Sequence, residues 1–320
     1  MRNTVRLAVC FLAICATAVG AESFMVDGGT PGVRIHLLRQ APLTPSNRSP
    51  LLLLHPYGSP CAEAYDLPAF PLMKELADGR EVYAMDFRGF GQSSKPLESH
   101  PVGRAPDAVR DVIAVINYIR SSTGTRRVAL LGWSWGGVVA PMVAAAQPEL
   151  IEKVAVMGAM YAFPLPMMTQ PFASKEEPSR FVPQAVAYQK IETSKVLDHW
   201  TMMLGERKDL VDATTVAFIA ALAERCSAGA PNATLDFTVR PMGPLQDLFE
   251  IWSSHPIYEA AQVKVPVLVI RGDRDVFADK TLASKLSQAK EVVISDATHW
   301  LPYEKNRIEL VRVLREFFSH

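Results

Sequence analysis

Neither sign of charge prevails in this 320-residue chain: 33 lysines and arginines face 33 aspartates and glutamates, for a formal net charge of zero. A chain without a basic excess carries no electrostatic footprint for nucleic acid or for an anionic membrane surface. Internal repeats and low-complexity tracts are also lacking, which excludes repeat and fibrous architectures. Cysteine is scarce, with four residues in the whole chain. The one extended apolar run, Leu7 to Val19, is too short and too lightly flanked to span a membrane. What remains is ordinary globular material, 49% hydrophobic and 21% charged. That length suits one large α/β domain or a domain with an insertion.

The N-terminus stands apart. Arg2 and Arg6 precede the apolar run, which closes on Val19-Gly20-Ala21 before Glu22. A positive head, a short apolar middle and a small-residue exit describe a secretory signal peptide over residues 1–21. The expectation is a secreted or periplasmic protein, with an uncleaved anchor as the competing reading and no stable membrane insertion once the signal is cut. Cys10 and Cys15 leave with that segment, while Cys61 and Cys226 stay. In an oxidising compartment the two can pair, yet two separate buried thiols account for them equally well.

Along the remaining chain, strands and helices alternate. Phe24–Asp27 and Val33–Arg39 read as a hairpin around Gly28-Gly29, and Leu51–Leu54 is an unbroken apolar run of the kind buried on both faces of a sheet. Helical spacing follows over about Tyr65–Ala77, then a strand at Val82–Met85 and a glycine-punctuated turn from Asp86 to Ser93. Val109, Val112, Ile113, Ile116 and Ile119 recur at helical intervals within Ala105–Arg120. Strands at Val128, Val154–Met157, Val265–Ile270 and Val292–Ser295 continue the rhythm, with helices near Leu282–Leu286 and Asn306–Phe318. The pattern predicts a mostly parallel twisted sheet with helices on both faces. Between Tyr161 and Gln262 no run alternates like a strand, so residues 161–262 are expected to form a helical cap inserted between core segments 22–160 and 263–320. Such an insertion lies above the strand ends, where open α/β sheets bind ligands.

Gly132-Trp133-Ser134-Trp135-Gly136-Gly137 sits where a strand gives way to a helix. Two glycines flank a residue that must take a strained conformation with chain packed close on both sides. That turn lifts the Ser134 hydroxyl clear of the sheet at a helix N-terminus. A serine hydroxyl is a poor nucleophile at neutral pH and needs a base, itself oriented by a carboxylate. Among seven histidines, only His299 combines a loop beyond a strand's C-terminal end with a late position after an acid. For the acid, Asp273 and Asp275 compete in Arg271-Gly272-Asp273-Arg274-Asp275, one of them being a turn carboxylate bonded to its own backbone. The oxyanion donors would be the amides of Trp135 and Tyr57, since Pro56 has none. His55 is read as a loop-shaping residue rather than a second base.

In these motifs the chain resembles the α/β-hydrolase fold superfamily, capped branch. The matching stretches are His55-Pro56-Tyr57-Gly58, Asp86-Phe87-Arg88-Gly89-Phe90-Gly91-Gln92-Ser93, the serine elbow, Gly272-Asp273-Arg274-Asp275 and His299, in the order Ser, Asp, His. The resemblance implies Ser134 as nucleophile, His299 as base and Asp275, the second aspartate of a Gly-x-x-Asp pattern, as acid. Pro56 departs from the glycine usual there, which leaves the Tyr57 donor intact but alters the shape of its loop.

The expected activity is hydrolysis of a carboxylic ester or lactone through an acyl-enzyme, with no cofactor and no metal. The substrate is a small, partly apolar molecule, with Trp133, Met160 and neighbouring methionines as pocket candidates beside ordinary core filling. A proline-iminopeptidase-like peptidase, a carbon–carbon bond hydrolase and a cofactor-free haloperoxidase share the same triad. Epoxide hydrolases and dehalogenases of this fold place aspartate where Ser134 stands, which disfavours them. A ligand-binding protein on a hydrolase scaffold is the non-enzyme alternative.

Overall fold

Four consecutive leucines, Leu51–Leu54, form a strand in which every side chain is fully buried. Successive strand residues point to opposite faces. Leu52 and Leu54 therefore join the core on one side of the sheet, while Leu51 and Leu53 join the core on the other. At roughly 1.5–3 kcal/mol for each buried leucine, such a strand is held only where helices cover both faces.

A computed structural model describes residues 21–45, 48–57, 61–182, 187–230, 234 and 236–319. The proposed signal segment lies outside them, except for Ala21. The main sheet has eight strands in the order β1-β2-β4-β3-β5-β6-β9-β10. They are β1 (Glu22–Asp27), β2 (Arg34–Gln40), β3 (Leu51–Leu54), β4 (Val82–Met85), β5 (Val128–Trp133), β6 (Ile151–Met157), β9 (Val267–Gly272) and β10 (Ala289–Ile294). β1 and β2 run antiparallel at one edge, and from β4 onward every pairing is parallel. Helices α1 (Leu72–Leu76), α2 (Ala105–Thr123) and α3 (Gly136–Ala146) follow β3, β4 and β5 in chain order. The helix expected over Tyr65–Ala77 is broken into a 3-10 turn at Ala62–Tyr65 and the short α1, because Pro68 and Pro71 interrupt it.

The excursion between β6 and β9 contains α4 (Pro166–Thr169), β7 (Tyr188–Glu192), α5 (Thr193–Leu204), α6 (Ala213–Ser227), β8 (Phe237–Pro241) and α7 (Gly243–Trp252). It is not purely helical: β7 and β8 pair as an antiparallel ribbon. Each strand is only five residues long and the partner is distant in sequence, so neither carries a local alternation to read. A second departure is α7, which packs with the α2 and α3 side of the core through Leu248 and Ile251. Its Asp247 carboxylate caps α2 by accepting the Ala105 N–H at 2.7 Å and pairs with Arg104. Cys61 and Cys226 are bridged, with Cα atoms 5.5 Å apart, tying the segment after β3 to α6. The chain closes with α8 (Leu282–Lys285) and α9 (Arg307–Ser319). Among the described residues no helix is long and apolar enough to cross a membrane.

Candidate active site

Parallel pairing brings the carboxyl ends of β5, β6, β9 and β10 side by side, and the site is built on the turns that leave them. After β5, Ser134 takes a left-handed conformation with φ of 56°, its amide donating to Met157 O at 2.9 Å. The turn closes only because its flanks have no side chains. A Cβ on Gly132 would lie 2.2 Å from Gly136 O, and one on Gly136 would lie 2.1 Å from Leu54 O. α3 starts immediately afterwards, directing its N-terminal amides toward the serine.

His299 Nε2 lies 2.9 Å from Ser134 Oγ, and His299 Nδ1 lies 3.0 and 3.1 Å from the two oxygens of Asp275. All three residues are at most 5% exposed. Asp275 Oδ1 also accepts the Phe277 and Ala278 amides at 2.8 and 3.1 Å, so the backbone aims the carboxylate at the ring. The competition left open in the sequence has a geometric answer: Asp275 meets the His299 ring, whereas Asp273 accepts the Ala297 N–H at 3.2 Å, on the loop after β10. Gly158, leaving β6 with φ of 57°, lets the chain pass beside this pair.

The loop that carries His299 is pinned from beneath. Glu304, 1% exposed, accepts the Thr298 amide and hydroxyl, and burial pushes its carboxyl above the usual carboxylate range. The Trp133 indole N–H donates to His299 O at 3.0 Å. Sequence reasoning missed Glu304, whose role depends on a contact across a folded-back loop.

Neither the Trp135 nor the Tyr57 amide donates to any acceptor among the described residues. His55 keeps the loop between β3 and Tyr57 in place: its Nδ1–H donates to Pro56 O at 2.8 Å and its Nε2 accepts the Phe87 N–H at 3.1 Å. With both nitrogens so used and the ring fully buried, burial lowers its pKa to about 4. His55 is thus a neutral, loop-shaping residue, as read from the sequence.

A cavity opens above Ser134 between the sheet edge and the excursion, and Trp133 and Met160 both line it. Of the other methionines, Met168 and Met203 also face it, Met157 is core, and Met167 and Met202 are exposed. His199, Arg240, Trp252 and Phe277 line it too without having been singled out beforehand. Elsewhere, Ser23, His36 and Asp86 form a second hydrogen-bonded line, at 2.8 Å for each step. There the serine lies within the regular β1–β2 ladder, opposite Leu38, rather than at a helix N-terminus.

This sheet order, with a serine elbow after β5, is the architecture of the alpha/beta hydrolases. The model of the alpha/beta hydrolase fold family matches residues 49–306, and the chain belongs to that family. Mouse epoxide hydrolase 4 is 24% identical over 253 residues, covering 73% of this chain; the chain spans 64% of that protein's length. Among solved structures, a bromoperoxidase from Bacillus anthracis superposes with a TM-score of 0.63 at 21% identity, covering 93% of this chain and all of that one. The enol-lactonase of Burkholderia xenovorans LB400 gives a TM-score of 0.62 at 20% identity, covering 91% and 99% of the two chains.

Proposed function

We propose that this chain is a serine hydrolase that cleaves a carboxylic ester or lactone through an acyl-enzyme. The observation that carries the reading is the unbroken line from Asp275 through His299 to Ser134 Oγ, beside two amides without an acceptor among the described residues. In this mechanism Ser134 Oγ attacks the carbonyl carbon while His299 Nε2 takes its proton. Asp275 holds the ring in the tautomer with Nδ1 protonated and stabilises the imidazolium that forms. The Trp135 and Tyr57 amides donate to the oxyanion. His299 then returns the proton to the leaving alcohol, and water, deprotonated by the same nitrogen, releases the acid. The excursion over residues 161–262 serves as the cap that closes this site.

Several relatives bear the name epoxide hydrolase, but the residue at the elbow here argues against that chemistry. Attack of a serine on an epoxide would leave an ether, with no carbonyl for water to attack. An ester or lactone leaves an acyl-serine, which water can hydrolyse. The N-terminal segment is proposed as a cleaved export signal, and a mature N-terminus at or near Glu22 on protein recovered outside the cytoplasm would bear that out.

Turnover of p-nitrophenyl esters of graded chain length tests the activity. Wild type is expected to hydrolyse at least the short members, and Ser134→Ala to lose on the order of 10⁴-fold or more in kcat. Equal rates in the two proteins would refute the mechanism. Activity on none of the esters would favour a peptidase, carbon–carbon cleavage or ligand binding.

A further inference from the structure

Arg240 on β8 lines the cavity above Ser134. Other arginines drawn into this fold meet carboxylates: Arg88 with Asp111, Arg104 with Asp247 and Arg307 with Glu75. Arg240 has no carboxylate within 4 Å among the described residues. Its Nε and Nη2 both donate to the side-chain carbonyl of Gln189, at 3.2 and 3.0 Å. That takes one edge of the planar guanidinium and leaves the other edge, between Nη1 and Nη2, without an acceptor among the described residues. Its carbon centre stacks 4.7 Å from the ring of Tyr57.

Other donors in the same wall are also unsatisfied. The Tyr57 hydroxyl and the Trp252 indole N–H are buried with no hydrogen-bond partner among the described residues, and both residues line the cavity. A buried donor left unpaired is destabilising, so several around one cavity point to a ligand that supplies lone pairs. No Asp or Glu is among the described residues that line it. His199, on the same wall, adds no charge at neutral pH: burial, then Arg240 and His299, lower its pKa to about 4. Lys195 already has Asp198 at 3.4 Å and is mostly solvent-exposed.

We infer that the substrate carries a carboxylate, seated on the free edge of Arg240 with the Tyr57 hydroxyl as a further donor, while the ester to be cleaved lies at Ser134. A carboxylate has acceptor sites for all of these donors and matches the guanidinium fork. The ring that Arg240 covers belongs to the residue whose amide is the proposed oxyanion donor. The anion and the scissile carbonyl therefore share one cavity, whose lining also includes the apolar Met160 and Leu248. This deepens the ester-hydrolase reading and rests on it for the reacting bond, though not for the anion site.

Two measurements separate the two claims. Monomethyl succinate, glutarate and adipate are compared by pH-stat with methyl butyrate, valerate and hexanoate, using wild type, Arg240→Gln and Arg240→Lys. Wild type should favour at least one hemi-ester over its neutral counterpart by about tenfold or more in kcat/KM. Within Arg240→Gln that ratio should collapse toward one, while Arg240→Lys retains part of it, so a general loss of activity or folding does not mimic the result. In parallel, tryptophan quenching follows the same hemi-esters binding to Ser134→Ala, where no turnover intervenes. Adding Arg240→Gln to that variant should weaken binding by about 10- to 100-fold. Binding that does not depend on Arg240, or none at all, overturns the anion site even if neutral esters are turned over. Arg240-dependent binding without turnover in wild type upholds the anion site and refutes the nucleophile instead.

Discussion

Gly158 and His299 adjoin with no room for a side chain between them: a Cβ on Gly158 would lie 2.9 Å from His299 Nδ1 and 3.1 Å from Asp275 Oδ2. The strand end that supplies no functional side chain therefore still shapes the site, by leaving space for the ring and its carboxylate.

Gly158→Ala should accordingly push the imidazole off its line to Ser134, in addition to straining a residue whose φ is 57°. The expected result is a fall in kcat of about 10²-fold with a smaller change in KM. Gly124→Ala is the control, since that residue caps α2 with φ of 71° and has nothing within 4 Å of an added Cβ. It should lose about 1 kcal/mol of stability and keep its kcat. Equal kinetic losses in the two variants would show that backbone strain alone is responsible.

The two candidate aspartates give the sharpest test of the acid. Asp275→Asn should lower kcat on the order of 10⁴-fold, because the amide orients the wrong tautomer of His299. Asp273→Asn keeps a carbonyl acceptor for the Ala297 amide and should leave the rate near that of wild type. Rates on a single p-nitrophenyl ester decide it, and the reverse ranking would move the role to Asp273.

The Cys61–Cys226 bridge spans 165 residues and joins the segment after β3 to α6. Thiol titration of denatured, unreduced protein lacking residues 1–21 should find no free thiol. Replacing both cysteines by serine should lower unfolding free energy by about 2–4 kcal/mol, read from urea titrations. Two titratable thiols in the unreduced protein would refute the bridge.

Acid should weaken the fold through its buried histidines. In the folded chain His55 titrates near pH 4 rather than at its ordinary 6.5, because burial disfavours the cation. Between those values the unfolded chain binds more protons than the folded one, so stability falls as pH drops from 6.5 to 4. Asp247, which burial raises to about 6, acts in the opposite direction over part of the same window. Comparing wild type with His55→Gln isolates the histidine. The variant should be less stable at pH 7 and lose less between pH 7 and pH 5, by an amount on the order of 1–3 kcal/mol. Parallel stability curves for the two proteins would refute it.

Local pattern determined much of this protein. A run such as Leu51–Leu54, the helical spacing in Ala105–Arg120 and the glycines at 132 and 136 each make their demand within a few residues. Fold class, the serine elbow and the candidate base were legible for that reason. The residue pattern by itself left Asp273 and Asp275 in competition, the resemblance implied Asp275, and the tertiary structure shows that Asp275 meets His299. Only it paired Cys61 with Cys226 and β7 with β8, since each partner is dozens of residues away and neither carries a mark of the other. Arg240 is the clearest case: as sequence it is one arginine among many, and only the fold places it on the cavity wall without a carboxylate partner among the described residues.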